Sequence, residues 1–136
     1  METNAMQAQI NNLSLNKHLA KEFLDMIFNQ HNPAQAVAQY IAANYREHNP
    51  YLADGPDGVI AYATGYLKAN PQLRMEFKRI IAEGDLVAVN SFIKPNSSDL
   101  GRAVVDIFRV EDGRLVEHWD VMQPVPFQSA NRNGMF

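Results

Sequence analysis

Segments 102–110 and 114–123, joined by Glu111-Asp112-Gly113, carry at even-numbered positions two carboxylates and an imidazole: Asp106, His118 and Asp120. These are the side chains of general acid and base catalysis, able to take a proton from a reacting atom and return it near neutral pH. Few other chemistries compete. The chain has no Cys, which removes thiol nucleophiles, disulfides and thiolate metal clusters. Gly84, Gly101 and Gly113 sit in turn contexts without a phosphate-loop pattern. A metal held by His48, Asp106, His118 and Asp120 is chemically conceivable, but no tight ligand spacing supports it, so neither metal nor cofactor is expected.

Whether the three groups meet depends on the elements that carry them. With a three-residue loop at Glu111-Asp112-Gly113, pairing sets Phe108 opposite Val116, Asp106 opposite His118 and Val104 opposite Asp120, all on one face because strand side chains alternate. A two-residue Asp-Gly turn would instead set Asp106 opposite Trp119. In the first register Val104, Phe108, Val116 and Met122 surround the ionisable groups, as in an apolar pocket with a few polar contacts. The other face carries Val105, Ile107, Trp119 and Val121. A homodimer contact through Ile107, Trp119 and Val121 is expected there.

Upstream, residues 75–82 and the alternation from Leu86 to Ile93 flank Glu83-Gly84-Asp85 and predict another hairpin, followed by a loop over 94–101. Three helices precede it. Leu15, Leu19, Phe23, Met26 and Ile27 form one helical face behind a Ser14 cap; Asn32-Pro33 starts a second helix with Val37, Tyr40 and Ile41 inward. Val59, Tyr62, Ala63, Tyr66 and Leu67 mark a third, ending before Asn70-Pro71. Tyr62 and Tyr66 lie one turn apart and are candidates for the pocket wall. Residues 1–13 are polar, lack periodicity and are expected as a flexible lead-in to a single domain over 14–136. Helices first and strands afterwards predict an α+β domain, a curved antiparallel sheet with three N-terminal helices packed over it and an apolar pocket enclosed.

At 136 residues and net charge −3, the chain lacks the basic footprint of a nucleic-acid or anionic-membrane partner. No apolar run spans a bilayer and the N-terminus lacks a secretory pattern, so a cytoplasmic protein with a small hydrophobic ligand is expected. Two prolines and an apolar Met135-Phe136 end predict that the tail docks in a groove of its own or of a partner subunit, near the pocket mouth.

The segments Tyr45-Arg46-Glu47-His48-Asn49-Pro50, Ile81 to Val89 and above all Val104 to Asp120 resemble the SnoaL-like polyketide cyclases of the nuclear-transport-factor-2-like superfamily. The tail resembles a bacterial subgroup described as predicted aldol-condensation enzymes. The likeness runs over 14–136. It implies a cone-shaped α+β barrel around a deep apolar pocket, with acid/base aldol closure that needs no metal or Schiff base. Asp120 falls at the acid/base position, His118 at a neighbouring pocket histidine oriented by Asp106, and His48 at a wall position in a short early strand. Asn90 and Phe92 stand where relatives of the subgroup often place His, a departure that leaves fewer protonatable groups. On this reading His118, with Asn90 or His48, polarises the substrate carbonyl while Asp120 moves the proton. A non-catalytic ligand-binding or protein-interaction module of the same fold is the alternative, as is an isomerase or dehydratase resembling ketosteroid isomerase or scytalone dehydratase.

Overall fold

The structure is a computed structural model describing residues 1–136. The order of elements is α1 (Glu2–Phe28), α2 (Pro33–Tyr40), β1 (Ile41–Glu47), α3 (Pro56–Ala69), β2 (Arg74–Glu83), β3 (Leu86–Lys94), β4 (Arg102–Glu111) and β5 (Arg114–Pro124). The strands form one sheet in the order β1-β5-β4-β3-β2, and the fold is α+β as expected. One pairing departs from the expected antiparallel sheet: β1 runs parallel to β5.

Helix α1 begins at Glu2, well ahead of the expected Ser14 cap. Residues 1–13 hold no Gly or Pro and are rich in Ala, Gln, Asn and Met, so the helix propagates backwards without a breaker and without an apolar face. Its buried residues start only at Ala20 and continue through Phe23, Leu24, Met26 and Ile27. Asn29 then stops the helix and clamps β2, its amide donating to the Met75 carbonyl and accepting from the Met75 N–H at 3.0 and 2.8 Å.

Helix α2 starts where Asn32-Pro33 predicts, with the Asn32 side chain accepting from the Gln35 N–H. It ends earlier than its apolar stripe suggests, because Ile41 is already extended and opens β1. Arg114 stabilises that junction by donating to the carbonyls of Ala38, Gln39 and Ile41. β1 is thereby anchored beside β5.

The β4-β5 turn is tighter than expected. Glu111 pairs directly with Arg114 around a two-residue loop, and both Asp112 and Gly113 have positive φ (50° and 71°), the signature of a type I′ turn. Val116 is then left over as a bulge, since Val110 pairs with Leu115 but Arg109 pairs with Glu117. Turn and bulge together preserve the expected face and move every partner by two residues. Phe108 therefore faces His118, Asp106 faces Asp120, and Val104 faces Met122.

The helices cover the sheet face bearing Val87, Val89, Val104, Phe108 and Leu115, which joins Phe23, Ile27, Val59, Ala63 and Leu67 in one core. On the opposite face Ile107 pairs with Trp119, and Val121 is 69% exposed. The tail crosses this outer side. Val125 N–H bonds the Gly101 carbonyl, and the Phe136 ring packs 4.7 Å from that of Phe92, not at the pocket mouth. Gly101, at φ 85°, admits this packing because a Cβ there would strike the Phe92 ring. No helix is long and apolar enough to cross a membrane.

Candidate functional site

Between α1, α3 and the inner sheet face lies a cavity that is partly open to solvent. Fifteen of its twenty lining residues are hydrophobic, so any ionisable group on its wall is held in an apolar setting. Val104, Phe108, Met122, Tyr62 and Tyr66 line it as expected, together with Asp106, His118 and Asp120. His48, Asn90 and Phe92 do not.

Alternation explains those three misplacements. Asn90 and Phe92 are out of phase with the buried Val87, Val89, Ser91 and Ile93, so they lie on the outer sheet face. Asn90 accepts there from Arg79 at 2.7 Å, and Phe92 receives the tail. His48 follows β1 one residue past Glu47 and stacks on Trp119 with ring centroids 4.9 Å apart, its Nε2 2.7 Å from Glu117. Val116, the bulged residue, is buried but does not line the cavity.

The same alternation delivers Tyr45, Glu47 and Asn49 to the cavity, none of which the sequence reading selected. Parallel pairing sets Glu47 beside His118. The Glu47 side chain, 1% exposed, accepts from the Tyr45 hydroxyl at 2.6 Å, from the Asn49 N–H at 2.9 Å and from His118 Nδ1 at 2.7 Å. Asn49 in turn donates its side-chain amide to both oxygens of Asp120 at 3.0 and 2.9 Å. Its loop is pinned to α3, where a Cβ on Gly58 would collide with the Ala53 carbonyl.

His118 is the hub. Its Nε2 lies 2.9 Å from Asp106 Oδ1 and 3.9 Å from Asp120 Oδ2, while Nδ1 meets Glu47. Burial alone would drive the imidazole neutral, but the hydrogen bonds it donates to Asp106 and Glu47, reinforced by their charges, push its pKa up to about 10. His118 is therefore an imidazolium at neutral pH, donating to one carboxylate at each end. It has no free N–H for a ligand carbonyl, contrary to its expected role. For Glu47, burial works against ionisation, yet the bonds from His118, Tyr45 and Asn49 win and its pKa falls.

Asp120 behaves differently. Burial raises its pKa; the Asn49 bond and the His118 charge oppose the rise, and Asp106 and Glu47 add to it. The imidazolium hydrogen-bonds the other two carboxylates, so Asp120 is the one acid of the three that neighbours the cation without a hydrogen bond to it. A carboxyl that holds its proton more readily than usual, on the wall of an apolar cavity, can take and give protons to a bound molecule.

Asp106, His118 and Asp120 each offer one donor atom, all within 4.8 Å of one another. A doubly donating His118 presents no lone pair, so this set suits an ion only if the imidazolium first gives up a proton. His18 and His31 lie outside the cavity, His31 Nε2 being 2.9 Å from the Leu73 carbonyl.

Comparison with known proteins agrees with the fold. The structure is similar to TsrD from Streptomyces laurentii (TM-score 0.68, 23% identity, 80% of this chain and 88% of that one). It is likewise similar to a Bacillus cereus protein described as a "putative polyketide cyclase" (TM-score 0.67, 21% identity, 77% and 72%). A third similar structure is AclR from Streptomyces galilaeus, described as a "putative hydroxylase" (TM-score 0.69, 23% identity, 82% and 81%). No functionally curated protein matches the chain. At these identities the structures establish shared architecture alone. The family model of the SnoaL-like domain matches residues 20–118, which span Glu47, Asn49, Asp106 and His118, and the chain accordingly belongs to the SnoaL-like family.

Proposed function

We propose that this protein is a cofactor-independent acid/base catalyst acting on a small apolar carbonyl compound, of the aldol cyclisation or condensation type. The observation that carries the reading is Asp120: a carboxylate on an apolar cavity wall, its pKa raised by burial and its oxygens oriented by Asn49. Asp120 removes a proton from the carbon beside a carbonyl, and the C–H electron pair moves onto the carbonyl oxygen to form an enolate. The enolate carbon then bonds to a second carbonyl carbon, whose oxygen takes the proton back from Asp120. His118 and Asp106 assist by fixed charge. The imidazolium, 3.9 Å from Asp120, limits the rise of its pKa so that the ionised base remains accessible.

The test is deuterium exchange at the α-carbon of an apolar methyl ketone such as 2-acetonaphthone, incubated with the protein in D2O. Catalysed exchange that disappears in Asp120→Asn is expected; exchange undiminished in that variant overturns the assignment. Binding without exchange points to a ligand carrier of the same fold. We also propose that the outer face with Ile107, Trp119 and Val121 forms a homodimer contact, to be checked by sedimentation of Val121→Glu against the parent chain.

A further inference from the structure

The proposed reaction needs a donor for the enolate oxygen, and the obvious candidate is fully engaged. Both His118 nitrogens are bonded to carboxylates, the Tyr45 hydroxyl donates to Glu47, and the Asn49 amide donates to Asp120. Among polar side chains on the cavity wall only Tyr62 and Tyr66, both from α3, have no protein acceptor for their hydroxyls. Their aromatic rings stack with centroids 6.0 Å apart. They differ in solvation: the Tyr66 hydroxyl oxygen is buried and has no hydrogen-bond partner.

A buried hydroxyl without a partner is destabilising, and few are retained in folded proteins. The same cavity holds a second such atom, Asp106 Oδ2. Asp106 is thus bonded on one oxygen only, by His118. The aliphatic, phenylalanine and methionine side chains that make up most of the wall offer neither atom anything. A partner for either atom must come from outside the chain, as an ordered water or a bound molecule.

Resting on the acid/base reading above, we propose that the Tyr66 hydroxyl is the carbonyl-binding group of the site, donating to the ligand oxygen on which enolate charge develops, with α3 supplying the donor and β5 the base. The ligand class that satisfies both orphaned atoms is an apolar carbonyl compound that also carries a hydroxyl, the carbonyl accepting from Tyr66 and the hydroxyl donating to Asp106. A β-hydroxy ketone, the product class of an aldol step, has both groups.

The test compares 2-acetonaphthone with its non-hydrogen-bonding counterpart 2-ethylnaphthalene by calorimetric titration. Tyr66→Phe should weaken the ketone about fivefold, the worth of one neutral hydrogen bond, and leave 2-ethylnaphthalene unchanged. Its melting temperature should stay level or rise, since an unsatisfied polar atom has been removed. In the parent protein the carbonyl stretch of bound 13C-labelled ketone should lie below its value in cyclohexane, a readout that stands even if the variant misfolds. Equal losses for both ligands, no loss, loss in Tyr62→Phe instead, an unshifted stretch, or no ketone binding would each overturn the assignment. Weakened ketone binding without any α-exchange in the parent protein would uphold Tyr66 and sink the proton-transfer reading, which keeps the two failures apart.

Discussion

Asp106 and Asp120 stand directly opposite each other on β4 and β5, yet His118 Nε2 is 2.9 Å from Asp106 and 3.9 Å from Asp120. One cation therefore serves the pair unequally. Asp106 is committed to an ion pair, while Asp120 is oriented by a neutral amide and faces the cavity.

That asymmetry separates the effects of removing each carboxyl. Asp106→Ala strands a buried imidazolium on one side and should destabilise the fold by about 3 kcal/mol, as removal of one partner from a buried ion pair does. Asp120→Asn relieves a carboxylate that burial already disfavours and should change stability by no more than about 1 kcal/mol while lowering exchange by roughly 10²- to 10⁴-fold. Urea unfolding at neutral pH, run beside the exchange assay, distinguishes the two. Equal destabilisation by both substitutions would contradict the unequal sharing.

His118 sets an alkaline limit on stability. Its folded pKa, about 10, lies above the ordinary 6.5, so its stabilising contribution is fully present below about 6.5 and is lost as pH rises toward 10. Melting temperature should fall over that window in the parent chain. His118→Asn should be less stable at pH 6 and lack that slope. A parent profile flat from pH 6.5 to 10 would show that the imidazole is not held protonated.

Glu47 is the second anchor of that charge. Glu47→Gln keeps the shape of the side chain but removes one of the two anions around His118, so the imidazole pKa should fall from about 10. The Cδ2–H resonance of His118, followed through the titration, reads the change directly. Acid behaviour has the opposite sign. The folded pKa of Glu47 is lowered, so its contribution is present above its ordinary 4.5 and disappears as pH falls through the folded value.

Glu47 also shows where sequence reasoning runs short. The β4-β5 face was legible because Val104, Asp106 and Phe108 alternate with more exposed neighbours, and parity survives both the turn and the bulge. The pairing was not, since a bulge adds one residue without changing composition; its trace is the adjacent apolar pair Leu115-Val116, both buried. β1 hides more completely. Tyr45 and Glu47 on β1, with Asn49 two residues past its end, form a period-two inward set whose polar atoms give no amphipathic signal. His48 drew attention by residue type although Glu47 and Asn49 were the positions in phase. The first half of α1 was invisible for a related reason: it touches no core, so only intrinsic propensity marks it.

Asn49 tests whether orientation and acidity of the base are set together. Its amide bonds to Asp120 lower a pKa that burial raises, so Asn49→Ala removes the opposing influence and should move the Asp120 pKa further up. A base must be ionised to accept a proton, so the rising limb of the kcat/KM profile for exchange should shift to higher pH in the variant. The plateau should also fall, because a carboxylate freed from its amide is no longer held toward the substrate carbon. Asn49→Asp adds a carboxylate in place of the donor and should shift the limb upward again, through like charge. A rising limb that stays in place in both variants, with only the plateau altered, would mean that Asn49 positions Asp120 without tuning it.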